Sequence, residues 1–443
     1  MKIEKTITYI FISFIFFINL HVRINYYYSN KLKKNYKLNL FQEKINNDVK
    51  IVKSNKKVTD LSILYPFDNS KNEEDENKIS FKIKKKIIEK FNYLKERNKR
   101  YEDIFKIYFP FRIEIVTINR FLTGSKKSFV NLDSLASLNN NYYAFIINKK
   151  QSFDNEAKQV VELSKTLNKN DINFCSVTYP SKFSKYKPDF PLGIIDYSNY
   201  NVDTYLNVLK KNKIDYLDLR ENVNNHFKEH LPIFFKSDHH WKPEVAFWAT
   251  NEIISFLNKK YNMKFNTTLL NKDKYKFTTY PKVFLGSHGK KLTLAFSEPD
   301  DLTIIEPTFP TYFEAGDLNK QELKIGSFSE VLLDYKAFYH SVNNPYKGNA
   351  YYVYSEIQYI KNQSPNMKNR ILIINDSFSI PVIPFLAIVS KEVISIDLRT
   401  GNKFSVEKYI LDLKPDVVIL AYGADRFNRD SYPEHMENMF KFK

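Results

Sequence analysis

Two short segments hold the side chains best suited to chemistry. In Ile371-Leu-Ile-Ile-Asn-Asp-Ser377-Phe-Ser379 an apolar run ends on Asn-Asp-Ser. A serine where a strand turns into a helix exposes its hydroxyl and lies near free backbone N–H groups that can hold an oxyanion. The same position suits a helix cap, which serine makes well. The second segment is Ser237-Asp-His-His-Trp241. A nucleophilic serine needs an imidazole to take its proton and a carboxylate to hold that imidazole. An Asp and a His one residue apart can supply both from one tight loop. Two adjacent histidines stand out in a chain with 8 in all. Asp-His-His is also a set of metal-ligand types, and His226 and His230 at i,i+4 spacing add to that reading. His226-Phe-Lys-Glu-His230, however, lacks the His-Glu-x-x-His order of a zinc protease.

The elements needed to position these groups can be read from periodicity. Tyr143–Ile147, Ile172–Tyr179, Ile214–Leu219, Ile371–Ile374, Val393–Asp397 and Val417–Ala421 are short apolar runs and read as strands. Asn155–Leu167, Val202–Asn212, Pro243–Asn258, Ile380–Ser390 and Ser405–Leu413 carry a helical apolar face, and Pro243 is a helix-start proline. Strands alternating with helices predict an α/β fold: a mostly parallel sheet, helices on both faces, three layers. In such a sheet functional groups gather at the carboxyl ends of the strands, where Ser377 falls. Residues 265–350 are richer in proline and turns and read as an irregular or β-rich insertion.

Upstream, Lys2 and Lys5 precede an uncharged apolar stretch from Thr6 to Leu20. No small-residue cleavage site follows it, so residues 1–22 are expected to be an export signal retained as a membrane anchor at the cell envelope, with a secreted domain the alternative if the signal is cleaved. Residues 23–108 read as a polar tether followed by an amphipathic helix over Lys78–Lys106, and 109–443 as the main domain. The net charge is +18 with the lysines spread along the chain. No basic recognition helix or zinc-finger spacing appears, so a solvated basic surface near an anionic envelope is expected and nucleic acid is not. The single cysteine, Cys175, allows neither an intramolecular disulfide nor a Cys-based metal site. Nothing in the glycine-poor sequence suggests a cofactor, and no metal is expected.

Taken together, Asp238-His-His-Trp241, Phe284-Leu-Gly-Ser-His-Gly289, Asp300-Asp-Leu-Thr-Ile-Ile-Glu-Pro307, Asn375-Asp-Ser-Phe-Ser379, Ile396-Asp-Leu-Arg399 and Lys414-Pro-Asp-Val-Val-Ile419 resemble, in order and spacing, one family. It is the Asp-His-His-Trp (DHHW) proteins of the SGNH/GDSL hydrolase-like superfamily, related to alginate O-acetylation proteins. The resemblance spans roughly residues 109–427 and implies an SGNH-like domain with a permuted Asp, His, Ser order. It implies Ser377 as nucleophile, His240 as base and Asp238 as the carboxylate that orients it. The neighbouring His239 would be separated from His240 by opposite side-chain directions in an extended segment. Asn375 stands where the pattern has Gly, and no counterpart of the oxyanion-hole Asn block is found. Arg399, Trp241, His239 and Tyr422 are expected to bind substrate, with Arg426 a further candidate. The implied activity is O-acetyl transfer to an exported polysaccharide beside a membrane-bound O-acyltransferase that supplies the acyl group. A carbohydrate esterase with the same triad, or a non-catalytic polysaccharide-binding scaffold, are the alternatives.

Overall fold

In the computed structural model, the residues described are 51–52, 135–186, 195–294, 297–317, 322–335, 338, 359–401, 404–430 and 433–443. All of them belong to one compact unit. In chain order the strands are β1 (Ile51–Val52), β2 (Leu135–Ser137), β3 (Tyr143–Phe145), β4 (Asn173–Tyr179), β5 (Tyr216–Asp218), β6 (Tyr275–Phe284) and β7 (Asp300–Pro307). They continue with β8 (Phe313–Asp317), β9 (Glu322–Gly326), β10 (Tyr359–Asn362), β11 (Arg370–Asn375), β12 (Glu392–Ile396) and β13 (Val417–Gly423). The helices are α1 (Asp154–Asn168), α2 (Ser198–Lys211), α3 (Leu219–His226), α4 (Pro243–Tyr261), α5 (Ser287–Leu292), α6 (Phe328–Val331), α7 (Ile383–Val389), α8 (Val406–Leu413) and α9 (Pro433–Met439).

The main sheet has the order β1-β9-β8-β10-β12-β11-β13-β4-β5. Its half from β12 to β5 is parallel. The other half, β10, β8, β9 and β1, is antiparallel. The parallel strands are apolar on both faces because both faces are covered. Along β13, Val417, Ile419 and Ala421 enter one core with α4 and α7, while Val418, Leu420 and Tyr422 enter a second core with α1, α2, α8 and α9. Three layers result, as the alternating pattern predicts.

Two details differ from the sequence reading and a third resolves an alternative it left open. First, among the described residues β3 pairs only with β2, in a separate two-stranded sheet, so α1 does not join two strands of the main sheet. Second, the described residues of 265–350 follow the β-rich side of the expected insertion, with four strands separated by turns and short helices. β6 and β7 form a hairpin, and β8 and β9 extend the main sheet. Third, Ser377–Ser379 is a 3-10 turn and the regular helix begins only at Ile383, because Pro381 and Pro384 cannot donate to a helical ladder. The expected boundaries at 22 and 108, the anchor, the amphipathic helix and all of the tether except Ile51–Val52 lie outside the described residues. Among the described residues no helix is long and apolar enough to cross a membrane.

Candidate active site

The Asp-His-His segment sits in a loop closed by its own backbone. Phe234 pairs with Trp241 as an isolated bridge, the Phe235 amide donates to the His240 carbonyl at 3.2 Å, and the Lys242 amide to the Ile233 carbonyl at 2.9 Å. The loop is fixed from outside by Asp300, the first residue of β7. Its carboxylate accepts from the Lys236 amide (2.8 Å), the Ser237 amide (2.7 Å) and the Ser237 hydroxyl (2.6 Å). Burial pushes the Asp300 carboxyl up, against these three donors. On the far side the Ser237 hydroxyl accepts from the Gly286 amide at 2.9 Å. Gly286 is required by proximity alone: a Cβ built there lies 2.2 Å from the Asp238 Cβ. This close approach lets the next amide, that of Ser287 at the start of α5, donate to Asp238 Oδ2 at 2.6 Å.

Asp238 is buried, with both oxygens occupied. Oδ1 accepts from the His240 amide at 3.0 Å and from His240 Nδ1 at 2.6 Å. Burial is the largest influence and opposes ionisation, but the imidazoles of His239 and His240 outweigh it and hold the carboxyl well below its usual range. With Nδ1–H committed to the carboxylate, His240 presents Nε2 as an acceptor. The Ser377 hydroxyl donates to it at 2.8 Å. Asp238, His240 and Ser377 therefore form one hydrogen-bonded line.

Ser377 is placed by the residue before it. Asp376 caps the turn by accepting from the Phe378 amide (2.9 Å) and ties β11 to β13 by accepting from the Gly423 amide (2.8 Å). Asn375 is buried and donates from its amide to the Asp376 carbonyl at 3.1 Å. The Asn375 Oδ1 has no hydrogen-bond partner.

Arg426, in the turn that follows β13, completes the site. Its Nη2 donates to Ser377 Oγ at 3.2 Å and to His239 Nε2 at 3.1 Å. A guanidinium can only donate, so His239 accepts through Nε2 and offers Nδ1–H to Ser287 Oγ at 3.2 Å. Burial and the neighbouring His240 hold the His239 imidazole well below its usual range, keeping it neutral. The two histidines do not diverge as an extended segment would require: their rings lie 3.7 Å apart, tilted by 35°. Their separation is by partner, since only His240 reaches the serine. Asp238, His239 and His240 place potential ligand atoms within 4.8 Å of one another, but both nitrogens of each histidine are engaged in the hydrogen bonds above.

Of the expected substrate contacts, His239 lies at the site and three others do not serve as expected. Trp241 is fully buried, donates its indole N–H to the Phe378 carbonyl at 3.1 Å and packs on Tyr179. It braces the turn that carries Ser377 from behind and cannot stack on a sugar. Tyr422 points into the opposite core, its hydroxyl donating to the Met439 carbonyl at 2.8 Å; alternation along β13 turns it away from Ser377. Arg399 is clamped in a fork on Asp397, Nε to Oδ1 at 2.9 Å and Nη2 to Oδ2 at 2.5 Å. Asp300, Gly286 and Arg426 carry more of the geometry than sequence reasoning gave them. Gly286 had a signal, being one of only 9 glycines and part of the Phe284-Leu-Gly-Ser-His-Gly289 segment that carries the resemblance.

Comparison with known proteins agrees with this architecture. Residues 142–290, which include the Asp-His-His-Trp loop and Gly286, match the model of the SGNH hydrolase-like domain of the acetyltransferase AlgX. Among solved structures, PatB1 from Bacillus cereus is similar at a TM-score of 0.56 and 21% identity, covering 70% of this chain and 99% of that one. The same protein with a sulfonyl adduct gives 0.55 and 20%, over 71% and 99%. A DHHW family protein from Eubacterium siraeum gives 0.51 and 16%, over 70% and 97%. No curated protein matches the chain. This agrees with the resemblance drawn from the sequence: residues 142–290 are similar to the SGNH hydrolase-like domain of the acetyltransferase AlgX, and the fold is shared with PatB1 and with a DHHW family protein.

Proposed function

We propose that the protein is an extracytoplasmic O-acetyltransferase that modifies a polysaccharide through an acetyl-Ser377 intermediate. The observation that carries this reading is the line from Asp238 through His240 to Ser377, with Arg426 donating to the same hydroxyl. In the first half-reaction Ser377 Oγ attacks the carbonyl carbon of an acetyl donor and passes its proton to His240 Nε2. Asp238 stabilises the imidazolium that forms. The carbonyl oxygen becomes an oxyanion beside Ser377, where Arg426 Nη2 supplies the charge-assisted donor that the absent Asn block would otherwise provide. The intermediate collapses, the donor's oxygen leaves with the proton from His240, and the acetyl group stays on Ser377. A sugar hydroxyl then gives its proton to His240 and attacks the acetyl-enzyme; Ser377 recovers the proton as the acetylated sugar departs.

The matched domain model supports acetyl transfer. A sulfonyl adduct on PatB1, a protein of this fold, is the product a nucleophile gives with a sulfonyl reagent. In this reading residues 1–22 export and tether the domain, and a membrane-bound O-acyltransferase supplies the acetyl group. Water in place of the sugar would make the protein an esterase, and the test separates the two. Purified protein is given p-nitrophenyl acetate with and without polysaccharide fragments. Transfer yields acetylated fragments at the expense of free acetate; acetate release indifferent to every fragment makes it an esterase. Ser377→Ala should lose at least about 1,000-fold in turnover, and wild-type turnover by that variant would falsify the acyl-serine route.

A further inference from the structure

The cavity beside the site is too small for a polymer. It measures about 20 Å³ and is walled in part by Ile147, Ser198, His239 and Asp425, room for about one water molecule. A polysaccharide acceptor must therefore lie across the surface outside it. The turn that carries Arg426 shows where one rim leads. It runs on to Asp430, which pairs with Lys149 at 2.9 Å, both side chains well exposed. Next to Lys149 the ammonium of Lys150 stands 5.0 Å from the centre of the Tyr200 ring and 5.5 Å from that of Tyr197. The two rings meet edge to face at 6.4 Å, and Tyr200 is 47% exposed. Lys150 has no carboxylate partner among the described residues.

This shelf is held in place from below. Asn201, fully buried, accepts from the Gln151 amide at 2.8 Å and donates to the Lys149 carbonyl at 3.3 Å and the Phe427 carbonyl at 2.9 Å. One side chain thus ties the lysine pair, the start of α2 and the turn beyond Arg426 together. The Tyr197 amide donates to the Ile147 carbonyl at 2.8 Å, and Ile147 lines the cavity. Rings fixed before binding lose little freedom when a ligand seats on them. Tyrosine offers an apolar face with a polar tip, and an ammonium beside it can meet ring hydroxyls or an acidic group.

We infer that Tyr197, Tyr200 and Lys150 form a saccharide subsite that seats one ring of the acceptor chain on the rim beyond Arg426. The inference rests on the transferase reading, but its test is separable because it measures binding without turnover. The Ser377→Ala protein is applied to an array of polysaccharide fragments, and the fragments it retains are recorded. In the same background, Tyr200→Ala with Lys150→Ala should weaken their retention by at least about tenfold, the effect of losing ~1.4 kcal/mol. Tyr200→Phe should keep it, and so should Tyr312→Ala, an exposed tyrosine on β8's approach. Equal melting temperatures for parent and variants exclude misfolding. Retention unaffected by the double substitution, or no fragment retained by the parent, overturns the subsite. Failure of wild-type protein to hydrolyse p-nitrophenyl acetate would instead strike the acyl-serine reading.

Discussion

His240 shows how one side chain is given a single role. Its Nδ1 and its backbone amide both point at one oxygen of Asp238, so the ring cannot flip without breaking the pair, and Nε2 faces Ser377. That Asp-x-His arrangement was legible in the sequence because it depends only on a two-residue spacing. Arg426 was legible only as a candidate, since its importance comes from a turn that brings it back over Ser377. Removing its donor by Arg426→Ala should cost roughly 10²–10³ in turnover, the range seen for one oxyanion donor. Arg426→Lys should recover part of that loss, because a point charge replaces the fork. Steady-state kinetics on p-nitrophenyl acetate read both, and a drop of less than about threefold in Arg426→Ala would remove Arg426 from the oxyanion role. Trp241 and Tyr422 were misread for a related reason. Residue type announces an aromatic that can bind sugar, but only packing shows which core each faces.

At the scale of elements, the strands and helices of the parallel half were largely legible, since buried parallel strands are continuous apolar runs bounded by turns. The antiparallel half was not: β8, β9 and β10 mix Glu, Lys, Asp and Asn with apolar residues and lack a strong period. Nor could the sequence show that β6, α5 and β7 act as a clamp on the Asp-His loop, since Asp300 and Gly286 lie 62 and 48 positions from Asp238. The clamp makes a sharp prediction. Gly286→Ala puts a methyl 2.2 Å from the Asp238 Cβ and 2.7 Å from its Cα, so backbone must move. Overpacking of this kind costs about 1–3 kcal/mol, and a shift near 1 Å in Asp238 can cost about 100-fold in rate. Urea midpoints and turnover should therefore both fall. Full activity in a stable Gly286→Ala protein would mean the clamp does not set the geometry.

At the scale of the whole molecule, one buried cation links stability to pH. Lys182 is 4% exposed and donates to the Tyr143 carbonyl at 2.5 Å and the Lys236 carbonyl at 3.1 Å, bridging β3 and the Asp-His loop. Burial pushes its ammonium down to about 7, with Asp300 and Asp238 working the other way. Above that value the folded chain holds fewer protons at this site than the unfolded one, so the lysine's contribution to stability rises with pH from about 7 towards the ordinary lysine value near 10.4. Below about 7 its burial cost is fully present. Lys182→Met should flatten that part of the profile, so the gap in urea midpoint between wild type and variant should change by the equivalent of a few kcal/mol between pH 7 and pH 9. A constant gap across that range would place the amine's proton affinity elsewhere. One last consequence comes from the order of the parts. The histidine and its serine are 137 positions apart, and the β13 amide that holds the Asp376 cap, like Arg426, follows both. A chain emerging from a ribosome or an export channel thus carries base without nucleophile, and then nucleophile without clasp. On the proposed function, acyl-transfer competence would switch on late in synthesis, and an active-site label such as a sulfonyl fluoride would count finished, folded molecules and pass over nascent ones.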